Sequence, residues 1–222
     1  MKRTLIVPLV TNGNSKVFEY NQFDCIINCV DAVSSLEISK FDEIYFILNK
    51  QVAQPWRLEE KISADVTRLN HIHFSFIMLP SMTDSPAETI YKALSVIGWD
   101  DRRIFIKDGD NKFALDSTPT SGNYIITSSL ENLDRVDPKH KSYVKTDEHG
   151  FVTNCIEKRV ISDKFIAGGY CFRTAHMFKE AYEALKNYNN TFYISDIIYW
   201  LILNKDEKFL PVEAKDFLDF NI

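Results

Sequence analysis

Asp108 and Asp110 stand on either side of Gly109, directly after the run Ile104-Phe105-Ile106-Lys107. The run reads as a short buried strand that ends abruptly on the glycine. Ligands of open α/β sheets collect beyond the carboxyl ends of strands, so this turn stands where a site belongs. Carboxylates at a strand tip are hard oxygen ligands, suited to Mg²⁺ or Mn²⁺ carrying a phosphorylated substrate. The same three residues serve equally as an Asp-Gly turn between two strands, for which conformational preference alone suffices.

Four further groups of residues carry chemistry. Gly13-Asn14-Ser15-Lys16 can offer backbone N–H groups and one cation to a phosphate. Glu157-Lys158-Arg159 place a carboxylate beside two cations, suited to a sugar hydroxyl and a phosphate or to a solvated charge run. Gly168-Gly169 lie in a strand-like run beside Tyr170, where glycine is costly unless a bulge or a closely approaching ligand requires it. Asp216 and Asp219 bracket Phe217-Leu218, and a metal ligand there needs the end of the chain to be tied down. Asp196, behind Ser195, reads as a helix N-terminal feature. The five histidines, at 71, 73, 140, 149 and 176, have no ligand spacing, and the four cysteines form neither a metal nor a disulfide pattern. Cys25 and Cys29 are expected in the core. Neither Gly-x-Ser-x-Gly nor Gly-Lys-[Ser/Thr] occurs, which excludes the common hydrolase and P-loop sites.

The elements that must position these residues follow from periodicity. Strands are expected over residues 5–10, 41–48, 72–79 and 104–107, with helices over 24–36, 56–69 and 85–97 between them. Ser85 is the expected N-cap of the last helix, Pro86 suits its first position, and Glu88 completes a capping box. Four strand–helix alternations predict a three-layer α/β/α fold on a mixed, mostly parallel sheet. The second half predicts strands over 123–128, 142–146, 151–157, 168–172 and 209–212, with helices over 175–188 and 195–203. With 222 residues and no linker or repeat, a single domain is expected, residues 1–115 forming one half and 116–222 the other. A hydrophobic content of 45% indicates a packed core, and a net charge of −5 argues against a broad nucleic-acid or anionic-membrane surface. The apolar N-terminal run is too short to span a membrane, so no membrane insertion and a cytoplasmic location are expected.

In this order, the segments resemble the sugar-phosphate nucleotidyltransferases of glycosyltransferase-A-like fold, particularly those of bacterial capsule and surface-polysaccharide biosynthesis. Ile6-Val7-Pro8-Leu9 followed by Gly13-Asn14-Ser15-Lys16 resembles the family's opening strand and phosphate loop. Ser85-Pro86-Ala87-Glu88-Thr89-Ile90 resembles the segment that meets the nucleoside, and Lys107-Asp108-Gly109-Asp110-Asn111 the Gly-Asp-Asn metal motif. Asp147 to Lys158 resembles the run into Glu-Lys-Pro, Gly168-Gly169-Tyr170-Cys171-Phe172 the Gly-x-Tyr-x-Phe strand, and Phe217-Leu218-Asp219 the Trp-Leu-Asp run. Thr11 replaces a family glycine, the Lys-Pro-Leu segment has no counterpart around residues 20–24, and no proline follows Lys158.

The resemblance implies a nucleoside triphosphate and a sugar- or polyol-phosphate as partners, with pyrophosphate released. It assigns Mg²⁺ or Mn²⁺ to Asp110 and Asp219, and catalytic charge to Asp110, Lys158 and Lys16. It places Leu9, Gly13, Ser85, Ala87, Thr89, Asp108, Glu157, Gly169 and Tyr170 against the substrates, and is compatible with a homo-oligomer. Two alternatives stand beside it. One is a glycosyltransferase of the same fold that uses Asp108-Gly109-Asp110 as an Asp-x-Asp clamp. The other is a non-catalytic nucleotide- or phosphosugar-binding homologue, consistent with the missing Lys-Pro-Leu lysine.

Overall fold

The structure is a computed structural model that describes residues 1–10, 18–20, 25–66, 73–132, 138–188 and 191–221. Its centre is β1 (Arg3–Pro8), in which Thr4, Leu5, Ile6 and Val7 are all buried. Burial on both faces is the mark of an internal parallel strand, and β1 has parallel neighbours on both sides. These are β4 (Glu43–Asn49) and β6 (Arg103–Lys107), with β5 (Phe74–Leu79) parallel to β4 beyond it. Beyond β6 the direction reverses. The long strand β11 (Lys164–Phe172) runs antiparallel to it, setting Gly169 opposite Lys107 and Tyr170 opposite Ile106.

From β11 the sheet forks. One branch is β9 (Ser142–Thr146) and β10 (Val152–Glu157); the other is β8 (Asn123–Ser129) with β12 (Phe209–Glu213) parallel to it. All nine strands belong to one mixed sheet, which joins the two halves expected from the sequence.

Helices cover both faces. On one side lie α4 (Pro86–Ile97), α5 (Ala175–Lys186) and α6 (Ile194–Lys205), whose Ile90, Phe178 and Ile198 meet Ile6, Ile106 and Ile125 of the sheet. On the other lie α1 (Cys29–Ser34), α2 (Lys50–Trp56) and α3 (Leu58–Val66), packing Val33, Leu58 and Ile62 against Leu5, Phe46 and Phe105. This is the expected three-layer arrangement.

Three local expectations are corrected. The helix expected over residues 24–36 begins only at Cys29, because Cys25–Ile27 is a strand, β3, paired antiparallel with β2 (Phe18–Tyr20). The adjacent β-branched Ile26 and Ile27 favour an extended chain, and helical spacing in so short a window did not distinguish the two. The helix expected over 56–69 is α3, which begins at Leu58 and is described as far as Val66, and a separate helix not expected from the sequence, α2, stands directly before it. Asn49 caps α2, its side chain accepting from the Gln51 and Val52 N–H groups, and Arg57 in the left-handed conformation separates α2 from α3. Finally, β7 (Asn111–Ala114) and β13 (Lys215–Asp219) form an antiparallel pair of their own, with Asp219 opposite Asn111. Both strands are short and only partly buried, so neither carries a sustained hydrophobic alternation.

Candidate functional site

The loop after β6 is built around a buried lysine. Lys107 is fully enclosed, and its ammonium lies 4.6 Å from the centre of the Phe113 ring. Its Nζ donates to Asp108 O at 2.6 Å, Asn111 O at 2.8 Å and Asn111 Oδ1 at 2.6 Å. An ammonium has three N–H donors, and all three are used within a four-residue turn. Burial pushes the Lys107 ammonium below its ordinary range, and the carboxylates of Asp108 and Asp110 oppose that shift.

The glycine pair of β11 lets this turn sit against the sheet. The pairing of β11 with β8 slips between Ile166 and Gly169, the bulge anticipated for such glycines. Gly168 has φ +78°, and its carbonyl accepts the Asp108 N–H at 2.9 Å. A Cβ on Gly168 would lie 2.3 Å from Asn111 Nδ2 and 2.9 Å from Asp108 Oδ2. On Gly169 it would lie 2.5 Å from Ile126 Cγ1 and 2.9 Å from Phe113 Cζ. What approaches the glycines closely is therefore the protein's own loop and core. The Tyr170 hydroxyl donates to Asp108 Oδ2 at 3.3 Å. Burial, reinforced by the neighbouring Asp110, holds the Asp108 carboxyl above the usual range.

The end of the chain is tied to this loop. Phe220 N–H donates to Asp110 O at 2.9 Å, extending the β7–β13 pairing. The Asn221 Nδ2 group donates to Asp110 Oδ2 at 2.9 Å and to Asp219 Oδ1 at 3.1 Å, so one amide bridges the two carboxylates. Lys141 forms an ion pair with the other Asp219 oxygen and lies over the Phe217 and Phe165 rings. Asp110 and Asp219, far apart in sequence, are thus brought together on one rim. Among the described residues no cluster of three or more His, Cys, Asp or Glu side chains could hold a metal. Two facing carboxylates nonetheless fit Mg²⁺, which binds through one or two carboxylates and completes its shell with water and substrate phosphates.

Asp110 and Asp219 open onto a cleft of about 700 Å³ between the β1 and α4 termini on one side and β10 and α6 on the other. Glu157 stands at the end of β10 on the far wall. Its Oε2 accepts the Ser195 hydroxyl at 3.1 Å and also that of Ser142. Lys158, with φ +56°, turns its ammonium to the Tyr193 hydroxyl at 3.0 Å, and this bond raises the lysine above its ordinary pKa. Tyr193 lines the cleft, whereas Lys158 is exposed outside its lining. Asp196 accepts the Tyr193 N–H at 2.7 Å, which fixes the start of α6 as its position suggested.

On the near wall, Ser85 caps α4 by accepting the Glu88 N–H at 3.2 Å. Glu88 accepts from Asp84 N–H at 2.7 Å, one residue earlier than the expected capping box. Ser85 lines the cleft with Thr83 and Asp84, whereas Ala87 and Thr89 are buried in the helix face below. The Thr89 hydroxyl bonds that of Thr83 at 2.6 Å, so its part in the wall is to hold Thr83. Leu9 is a core side chain whose N–H donates to Ile47 O at 2.8 Å; its neighbours Pro8 and Val10 face the cleft. Gly169 lies beneath the cleft floor against Ile126 and Phe113, whereas Asp108, Gly168 and Tyr170 line it. Gly13 and Lys16 lie outside the described residues.

Sequence reasoning gave no role to Lys107, although it stands at the head of the Asp108–Asn111 motif, and did not single out Lys141, Ser142, Tyr193 or Asn221. The last four belong to no spaced motif, and a lysine closing an otherwise apolar strand is the signal that could have given Lys107 a role.

No family model matches the sequence, and a search of curated proteins finds no match. Similarity in structure is extensive. A nucleoside-diphosphate-sugar pyrophosphorylase from Vibrio cholerae RC9 superimposes with a TM-score of 0.72 at 18% identity, over 100% of this chain and 96% of that one. The inositol-1-phosphate CTP transferase from T. maritima gives 0.70 at 15% identity, over 98% of this chain and 87% of that one. A UDP-glucose pyrophosphorylase complexed with UDP-glucose gives 0.69 at 12% identity, over 100% and 94%.

The fold is that of the sugar nucleotidyltransferases.

The likeness spans essentially the whole chain, so both walls of the cleft belong to this nucleotidyltransferase-like fold. No helix among the described residues is long and apolar enough to cross a membrane.

Proposed function

We propose that the cleft is the site of a metal-dependent nucleotidyltransferase that couples a nucleoside triphosphate to a sugar- or polyol-phosphate and releases pyrophosphate. The observation that carries this reading is the meeting of Asp110 and Asp219 at the rim of a cleft large enough for two substrates. In it, the nucleotide lies along Val10, Thr83 and Ser85, and the phosphorylated acceptor lies against Glu157 and Ser142. Glu157 keeps Oε1 for acceptor hydroxyls, while Ser142 and Ser195 hold Oε2 and fix the carboxylate plane.

The acceptor phosphate oxygen attacks the α-phosphorus of the nucleotide in line. One P–O bond forms and the bond to the β-phosphate oxygen breaks. Little covalent chemistry falls to the protein, which positions the reactants and neutralises charge. Asp110 and Asp219 would hold Mg²⁺ or Mn²⁺, which when bound would supply neutralisation of charge on the phosphate oxygens. Lys141 holds Asp219 in place, and Lys158 reaches a phosphate once Tyr193 moves. Lys16 supplies charge to the leaving pyrophosphate. We read the chain as one domain working in the bacterial cytoplasm, for capsule or surface-polysaccharide biosynthesis.

The test is pyrophosphate release from CTP, UTP, dTTP, GTP and ATP with Mg²⁺, each against a panel of sugar and polyol phosphates. Acceptor-dependent release with one nucleotide supports the reading. Silence throughout, with nucleoside diphosphate released from a nucleotide-sugar, replaces it with glycosyl transfer. Nucleotide binding without any turnover replaces it with a binding module.

A further inference from the structure

Given the metal-dependent reading of this cleft, on which the inference rests, we propose that Asn221 is a third protein ligand of the cation at Asp110 and Asp219. Its side-chain amide turns over to present Oδ1 when the metal arrives. The two hydrogens of Nδ2 reach one oxygen of each carboxylate, at 2.9 and 3.1 Å. A group bonded to both oxygens occupies the place that a shared cation takes. Lys141 holds the outer oxygen of Asp219, which leaves Oδ1 as the oxygen directed at Asp110.

A divalent cation in that place repels N–H groups and attracts oxygens. An Asn side chain carries both on one planar group, and rotation about its Cβ–Cγ bond exchanges them with no change in the backbone. The backbone is fixed independently. Asn221 N–H donates to Asp219 Oδ1 at 2.9 Å, and Phe220 N–H donates to Asp110 O at 2.9 Å. The amide therefore stays beside the carboxylates whichever way it faces.

The experiment measures Mn²⁺ binding to the full chain by electron paramagnetic resonance, together with melting temperatures with and without Mn²⁺. The proteins are wild type, Asn221→Ala and Asn221→Asp. Loss of a ligand predicts binding about 10-fold weaker in Asn221→Ala. Asn221→Asp restores an oxygen and brings affinity back to wild type or tighter. It cannot bridge the empty carboxylates, so it melts lower than wild type without metal and gains more on adding Mn²⁺. Wild-type or tighter binding in Asn221→Ala overturns the proposal, because the amide is then only a spacer that the metal displaces. Absence of Mn²⁺ binding in the wild type overturns the metal-dependent reading as well, so the two failures are distinct.

Discussion

Replacing Lys107 by Met tests whether one buried cation holds the Asp108–Asn111 turn in place. Methionine keeps most of the apolar stem above Phe113 and removes all three N–H donors. Three acceptors, Asp108 O, Asn111 O and Asn111 Oδ1, then lose their partner, and each unsatisfied buried group costs about 1–3 kcal/mol. Removing a buried charge recovers part of this, because the desolvation of an enclosed ammonium is itself several kcal/mol. The net expected loss is about 3 kcal/mol. For a chain of this size each kcal/mol lowers the melting temperature by about 2–4 °C, so a fall of about 6–12 °C is expected. Thermal and urea unfolding of the metal-free protein measure it, and Mn²⁺ titration reads the positioning of Asp110 separately. A melting temperature within about 2 °C of wild type, with unchanged Mn²⁺ affinity, would refute the role assigned to Lys107.

Three further outcomes are expected. Gly168→Ala forces a Cβ into Asn111 and places alanine at φ +78°, so a loss of about 2 kcal/mol or more is expected in urea unfolding. Asp110→Asn abolishes turnover and removes metal dependence, and full activity in that variant would sink the assignment of Asp110. Hydrogen bonds from Arg102 hold the Asp100 carboxyl at about 2, against 3.8 for the free group. Its folded pKa is depressed, so its stabilisation is complete above pH 3.8 and is lost as the pH falls through 2. Because Asp100 is largely exposed, the contribution is about 0.5 kcal/mol, and Asp100→Asn is expected to flatten that part of an acid-unfolding curve by this amount.

The parts of the fold legible in the sequence were those with continuous burial. β1, β4 and β6 are parallel strands with long buried runs, and the capped start of α4 announced itself in Ser85-Pro86. β3 was hidden because it is only three residues long and pairs with another strand of three, too short for a period to show. β7 and β13 were hidden because their reason for existing lies in each other, many residues apart. The site follows the same division. Asp110 and Asp219 could be named from local motifs, and so could the strained pair Gly168-Gly169. Lys141 and Asn221 could not, since each acquires its meaning only when the chain end returns to the Asp110 loop. Leu9, Ala87 and Thr89 show the reverse: they neighbour cleft residues in sequence, yet the helix and strand that carry them turn them inward.

The measurement that tests the central claim most directly follows the α-phosphorus itself. The protein is incubated with Mg²⁺, a sugar- or polyol-phosphate and a nucleoside triphosphate labelled at the α-phosphate. Nucleotidyl transfer predicts that label enters a nucleoside-diphosphate-linked product only when the acceptor is present, with one pyrophosphate released per product. Label that stays in the triphosphate with every acceptor, while a nucleotide-sugar is turned over to free nucleoside diphosphate, would contradict it.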